Sequence, residues 1–181
     1  MKYYLVAFAF LLFGGRADAQ QKPLATSVLM KDAYSDAAKE KKNVFLLFTA
    51  SWCGWCHKMD TAMNDEVCKK LFTDNYVIIH LDVLERKGKE ILENPGSLDA
   101  LKKYHGDDQG IPFWLILNPD GKLLADSKKR TDPTAFEEKG ENIGCPVSPE
   151  EVSYFLTLLK KTSSLDDSQL ETIGNRFRKI Q

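Results

Sequence analysis

The sequence predicts an α/β sandwich built on a mixed β-sheet, and three observations carry that expectation. Segments with helical periodicity alternate with short apolar runs along the chain. The run Val44–Phe48 is apolar at every position, as a strand covered on both faces requires. A proline-led run at Phe113–Leu117 meets a tight-turn sequence and a further short run, which suits an antiparallel pair at a sheet edge. The 181 residues suit one domain, and 43% apolar residues suffice for one buried core.

The first residues read as a targeting segment. Lys2 precedes an apolar run from Tyr3 to Phe13, and Ala17-Asp18-Ala19 is a small-x-small site. This pattern predicts a signal peptide over residues 1–19, leaving 20–181 as a single domain. The run is shorter than the about 20 apolar residues of a membrane-spanning helix, so no stable insertion is expected after cleavage. Arg16 and Asp18 beside the site make an uncleaved anchor the alternative, and no cysteine follows Ala19 to take a lipid. The expected location is periplasmic or secreted, where disulfides persist. With 25 basic and 26 acidic side chains, the charge balance offers no attraction to nucleic acid or an anionic membrane.

Residues 27–42 read as a helix, with Met30, Ala33, Tyr34, Ala37 and Ala38 on one face. The Val44–Phe48 strand follows, then helical segments to about Met63 and near 66–73. Val77–Val83 is the next strand, and residues 84–110 are polar and irregular apart from a helix around Ser97–Tyr104. Pro112 opens the strand Phe113–Leu117, Asn118-Pro119-Asp120-Gly121 fits a type I turn, and Lys122–Asp126 returns as an edge strand. Ser148-Pro149-Glu150-Glu151 is a capping box with proline at the first helical position. Leu170, Ile173, Phe177 and Ile180 mark one more amphipathic helix, weakened by Gly174. The core spans about 30–161, with a helical extension over 164–181.

Chemistry concentrates in Trp52-Cys53-Gly54-Trp55-Cys56-His57. Two cysteines spaced by two residues at a helix start can close a disulfide with little backbone movement. The unpaired N–H groups of the first turn favour a thiolate at the first cysteine. That makes Cys53 the nucleophile and Cys56 the resolving thiol. Two other readings exist. A zinc site needs further ligands, and Cys68 and Cys145 lack a second CxxC or a paired histidine motif. Cys53–His57 also spells the CxxCH attachment string of c-type haem, the signature of an electron-transfer protein. A strand running into the motif and a proline-led strand beyond it are expected of a redox sheet protein, not of haem attachment.

The stretch Asn43–Met59, together with Gly110-Ile111-Pro112-Phe113, resembles the thioredoxin-like family, in particular its exported bacterial members with a WCGxC active site. The resemblance in element order covers about Met30 to Lys161. It implies a thioredoxin fold and thiol–disulfide exchange, with Pro112 in the cis form beside the cysteines and the Ile111 backbone pairing with substrate. It needs no organic cofactor or metal. Two departures stand out: the family's buried carboxylate six residues before the first cysteine is Leu47 here, and Trp55 replaces a proline. The Asp82–Ile111 segment is about fifteen residues longer than the family minimum, which suggests a surface insertion.

His57 lies four residues after Cys53 and could modulate its acidity, although a partly exposed surface histidine is the plainer reading. His80 and Asp82 share a strand face, an arrangement that fits acid–base work or an ordinary strand-end polar pair. Trp55 is expected to be exposed for docking an extended polypeptide, and Trp52 to pack inward. Cys68 and Cys145 are either buried small hydrophobes or a structural disulfide. The expected activity is reduction of protein disulfides, with a redox-recycling partner such as a membrane thiol transporter. A thioredoxin-fold binding module with a merely structural disulfide is the non-enzymatic alternative.

Overall fold

The computed structural model describes residues 22–180, so the expected signal peptide over residues 1–19 lies outside the described residues. The helix α1 (Thr26–Glu40) stops two residues before the expected end because Lys41 turns left-handed at φ 57° and returns its N–H to the Ala37 carbonyl. Then follow β1 (Asn43–Thr49), α2 (Gly54–Met63), α3 (Lys69–Asn75), β2 (Tyr76–Asp82), α4 (Ser97–Lys103), β3 (Phe113–Leu117) and β4 (Leu123–Asp126). A short hairpin of β5 (Lys128–Lys129) and β6 (Glu141–Asn142) precedes α5 (Pro149–Thr162) and α6 (Asp167–Phe177). Among the described residues, no helix is long and apolar enough to cross a membrane.

The main sheet runs β2-β1-β3-β4, with β1 and β2 parallel and the other pairs antiparallel. This is the mixed sheet the sequence predicts, and helices cover both faces. Alternation along β1 divides the core. Val44, Leu46 and Phe48 meet Ala33 and Ala37 of α1, while Phe45 and Leu47 meet α2, α3, α5 and α6. Burial on both sides is why β1 has no polar alternation. Phe45 anchors an aromatic cluster, with ring centroids of Tyr76 and Trp114 at 5.6 and 5.5 Å. Such ring pairs add about 0.5–1.5 kcal/mol each beyond their buried area.

Local chemistry accounts for the ends of the elements. In the turn after β3, Gly121 N–H donates to the Asn118 carbonyl at 2.9 Å, and Asn118 Oδ1 accepts from Asp120 and Lys122. The Ser148 capping box starts α5, and Asp166 with Gln169 forms a second one at α6. Gly174, weak as a helix former, sits where α6 crosses α5: a Cβ there would lie 2.9 Å from Leu156 Cδ1. Its lost propensity, about 1 kcal/mol, is exchanged for close helix approach. The long segment after β2 is pinned by Asn94, which accepts from Asp82 N–H at 2.7 Å and donates to the Leu24 carbonyl at 2.9 Å.

Candidate active site

β1 delivers the chain to a turn in which Cys53 N–H donates to the Ala50 carbonyl at 3.0 Å. Cys53 then caps α2: its backbone is extended and its Sγ accepts the Cys56 N–H at 3.1 Å. Cys53 and Cys56 are joined in a disulfide with Cα atoms 5.3 Å apart, and each is only 3% exposed. When the pair is reduced, the same N–H and the helix dipole favour negative charge on Cys53. Cys56 lies inside the first turn and gives its own N–H to Cys53 Sγ, so the two thiols are chemically unequal.

The Ile111–Pro112 peptide is cis and crosses the front of the pair, with the Ile111 carbonyl oxygen 3.6 Å from Cys53 Sγ. Trp55, 47% exposed, flanks a groove of about 300 Å³ that continues along Gly110, Ile111, Pro112, Ile143 and Cys145. Lys58 Nζ lies 4.2 Å from the Trp55 ring centroid and fixes the ring by cation–π attraction. Thus Cys53, Cys56, Trp55, Ile111 and Pro112 meet at one end of the sheet.

Trp52 departs from the inward packing expected of it, since it is 42% exposed. Its Nε1–H donates to the Leu84 carbonyl at 2.8 Å, and Arg86 stands 5.5 Å from the ring centroid. The polar tip has found its partner at the surface, beyond β2, and the ring follows it. Beside it, Glu85 accepts from Ser51 N–H at 2.6 Å and from Ser51 Oγ at 2.8 Å. These contacts hold the turn that presents Cys53.

His57 is exposed, with Nε2 3.1 Å from the Ser51 carbonyl. Within the CxxCH string the two sulfurs are joined to each other, and both cysteines pack with Ala50 and against Ile111. Cys68 and Cys145 are free and buried, so the structure adopts the small-hydrophobe reading of both. Burial pushes the Cys68 thiol up to about 11 and the Cys145 thiol up to about 12, which keeps both protonated and unreactive at neutral pH.

Asn142 is the residue that sequence reasoning missed. Its Nδ2 lies 3.2, 3.1 and 3.1 Å from the carbonyls of Gln109, Gly110 and Pro112. Its Oδ1 accepts the Gly144 N–H at 3.0 Å, so one side chain latches the β5–β6 hairpin to the cis-proline segment. The three carbonyl partners lie 30 or more residues away, and no local pattern announces them. His80 on β2 reaches Asp60 of α2, Nε2 to Oδ1 3.1 Å, rather than Asp82, which accepts from Thr49 Oγ1 at 3.0 Å.

The family model described as Thioredoxin-like matches residues 28–119. A protein disulfide-isomerase of Hordeum vulgare is 27% identical over 115 residues, 63% of this chain and 19% of that one. An uncharacterized protein of Caenorhabditis elegans is 31% identical over 91 residues, 50% of this chain and 12% of that one. The chain thus spans about a fifth or less of the length of these curated relatives. A disulphide isomerase structure from Xylella fastidiosa shows 22% identity and a TM-score of 0.47, covering 65% of this chain and 79% of the other. At that TM-score the likeness carries no weight beside the family match. The matched span runs from within α1 through the cysteine pair and the cis-proline to the end of the core sheet strand β3, and the chain belongs to the thioredoxin-like family.

Proposed function

We propose that this protein is a thiol–disulfide oxidoreductase of the cell envelope that reduces disulfides in protein clients. The observation that carries the reading is a disulfide-forming pair at a helix N-terminus, facing the Ile111 carbonyl beside an exposed aromatic ring. Cys53 thiolate attacks a client disulfide, and one client sulfur leaves as thiolate. Cys56, once deprotonated, attacks Cys53 Sγ, releases the second client sulfur and leaves Cys53–Cys56 oxidised. A partner of the membrane thiol-transporter kind then returns two electrons. The groove along Trp55, Ile111 and Pro112 suits an extended polypeptide better than a compact small molecule.

The surroundings of Cys53 support the reductive direction. Strong oxidants hold their nucleophile as a very stable thiolate, and the residues between the cysteines here, Gly54 and Trp55, bring no cation. The His57 ring is engaged with the Ser51 carbonyl, and Lys58 is drawn over Trp55. Insulin reduction with dithiothreitol as electron source tests the activity. The wild type is expected to accelerate precipitation and Cys53→Ser to match dithiothreitol alone; identical traces for both proteins would overturn the reading.

A further inference from the structure

Resolution of the mixed disulfide requires Cys56 to lose a proton, and the wall behind it offers no acid–base group at Leu47, which is fully buried. One strand over, the picture changes. Leu47 pairs in register with His80 on the edge strand β2. A solvent-open cleft of about 250 Å³ separates α2 from β2, and Cys56, His57, Asp60, His80 and Asp82 line it with Thr49 and Ser51. At about 30 Å³ per molecule, such a cleft admits several waters. The cysteine that must deprotonate therefore borders a wet, titratable pocket.

We propose that the His80–Asp60 pair is the proton acceptor for Cys56, working through water in this cleft. The inference rests on the exchange reading above and adds a residue to it. As Cys56 Sγ–H gives up its proton, the thiolate attacks Cys53 Sγ of the mixed disulfide, the S–S bond to the client breaks and the Cys53–Cys56 bond forms. The client sulfur departs as thiolate with the electron pair of the broken bond. The Cys56 proton passes to neutral His80, and the imidazolium formed is paired with the Asp60 carboxylate 3.1 Å away. A carboxylate that orients an imidazole and stabilises its cation is a recurrent solution to this problem.

The other groups at the cleft are less suited. Asp82 is held by Thr49 Oγ1, and His57 Nε2 by the Ser51 carbonyl. Glu85 reaches the rim only through its bonds to Ser51. Among the described residues, no three such side chains converge as metal ligands do, so the cluster does not read as a metal centre.

The reduced protein mixed with one equivalent of dithiobis(nitrobenzoate) separates the steps. Cys53 attack releases the first coloured thiolate at a rate proportional to reagent concentration; Cys56 resolution releases the second at a rate independent of it. Cys68 and Cys145 stay silent as buried thiols. In His80→Gln the second phase is expected to slow about tenfold or more and to change its pH profile, with the first phase unchanged. In His80→Ala, added imidazole should restore the second phase, and Asp60→Asn should slow it less than His80→Gln does. A second phase in His80→Gln with the wild-type rate and pH profile overturns the proposal, as does equal slowing of both phases. A wild type that releases no first equivalent instead fails the exchange reading, and the relay falls with it.

Discussion

Cys53 and Cys56 differ because a helix begins between them: one sulfur accepts an N–H at its N-cap, the other sits a turn inside. That asymmetry is local, and it is legible in the spacing alone. Trp52 was not legible, because its Nε1 partner is the Leu84 carbonyl, 32 residues away and outside any pattern in the motif. The same residue-scale logic separates the four cysteines by reactivity. After reduction, brief alkylation with iodoacetamide near neutral pH is expected to label Cys53 first, and to leave Cys68 and Cys145 unmodified until denaturant is added. Peptide mass spectrometry reads the order; early labelling of Cys145 would show that the groove exposes it. Asn142→Ala removes the donor shared by three carbonyls and should cost about 1–3 kcal/mol in urea unfolding, with faster proteolysis near Gly110.

The elements whose reasons are local were predictable: β3 from five apolar positions, the Asn118–Gly121 turn, the Ser148 capping box. The β5–β6 hairpin was not, because what stabilises it is tertiary. Asp126 and Arg130 form a bidentate pair at 2.7 and 2.9 Å, with side chains 2% and 0% exposed. Arg130 Nε–H also donates to the Glu138 carbonyl at 2.9 Å, which closes the loop back on itself. Arg130→Met leaves Asp126 buried without its partner and should cost about 3–5 kcal/mol by chemical denaturation. Asp126→Leu with Arg130→Met should recover most of that loss, because no uncompensated charge remains. A double variant as unstable as the single one would mean that the loop contacts of Arg130, not its charge, dominate. The His80–Asp60 contact joins α2 to β2 across 20 residues, so the sequence displayed His80 beside Asp82 and concealed its partner.

Across the whole molecule, buried acids set the pH range of stability. Burial pushes the Tyr76 phenol up to about 12, and the thiols of Cys68 and Cys145 up to about 11 and 12. Each acid is harder to ionise folded than unfolded, so its contribution is complete below its ordinary value near 9 or 10. It is lost as pH rises from there toward 11–12, and urea midpoints should fall over that interval. At the acid end, burial opposes the Glu151 carboxylate, but the N–H groups of Ser148 and Val147 outweigh it and hold the acid below its ordinary value. That contribution is present above the ordinary carboxyl range and fades as pH drops below it. The redox balance is likewise a property of the whole fold. Equilibration with glutathione should give a potential nearer the about −270 mV of thioredoxin than the about −120 mV of a strong oxidant.

The division of labour between the two sulfurs is tested most directly by trapping. Under the proposed exchange, Cys56→Ala, expressed as the full 181-residue chain and quenched with acid, keeps the nucleophile and removes the thiol that resolves it. Client proteins are then expected to remain disulfide-linked to Cys53, released by dithiothreitol and absent from Cys53→Ser with Cys56→Ala. Mass spectrometry that finds no protein adducts, only glutathione on Cys53, or adducts through Cys68 or Cys145 would contradict the account.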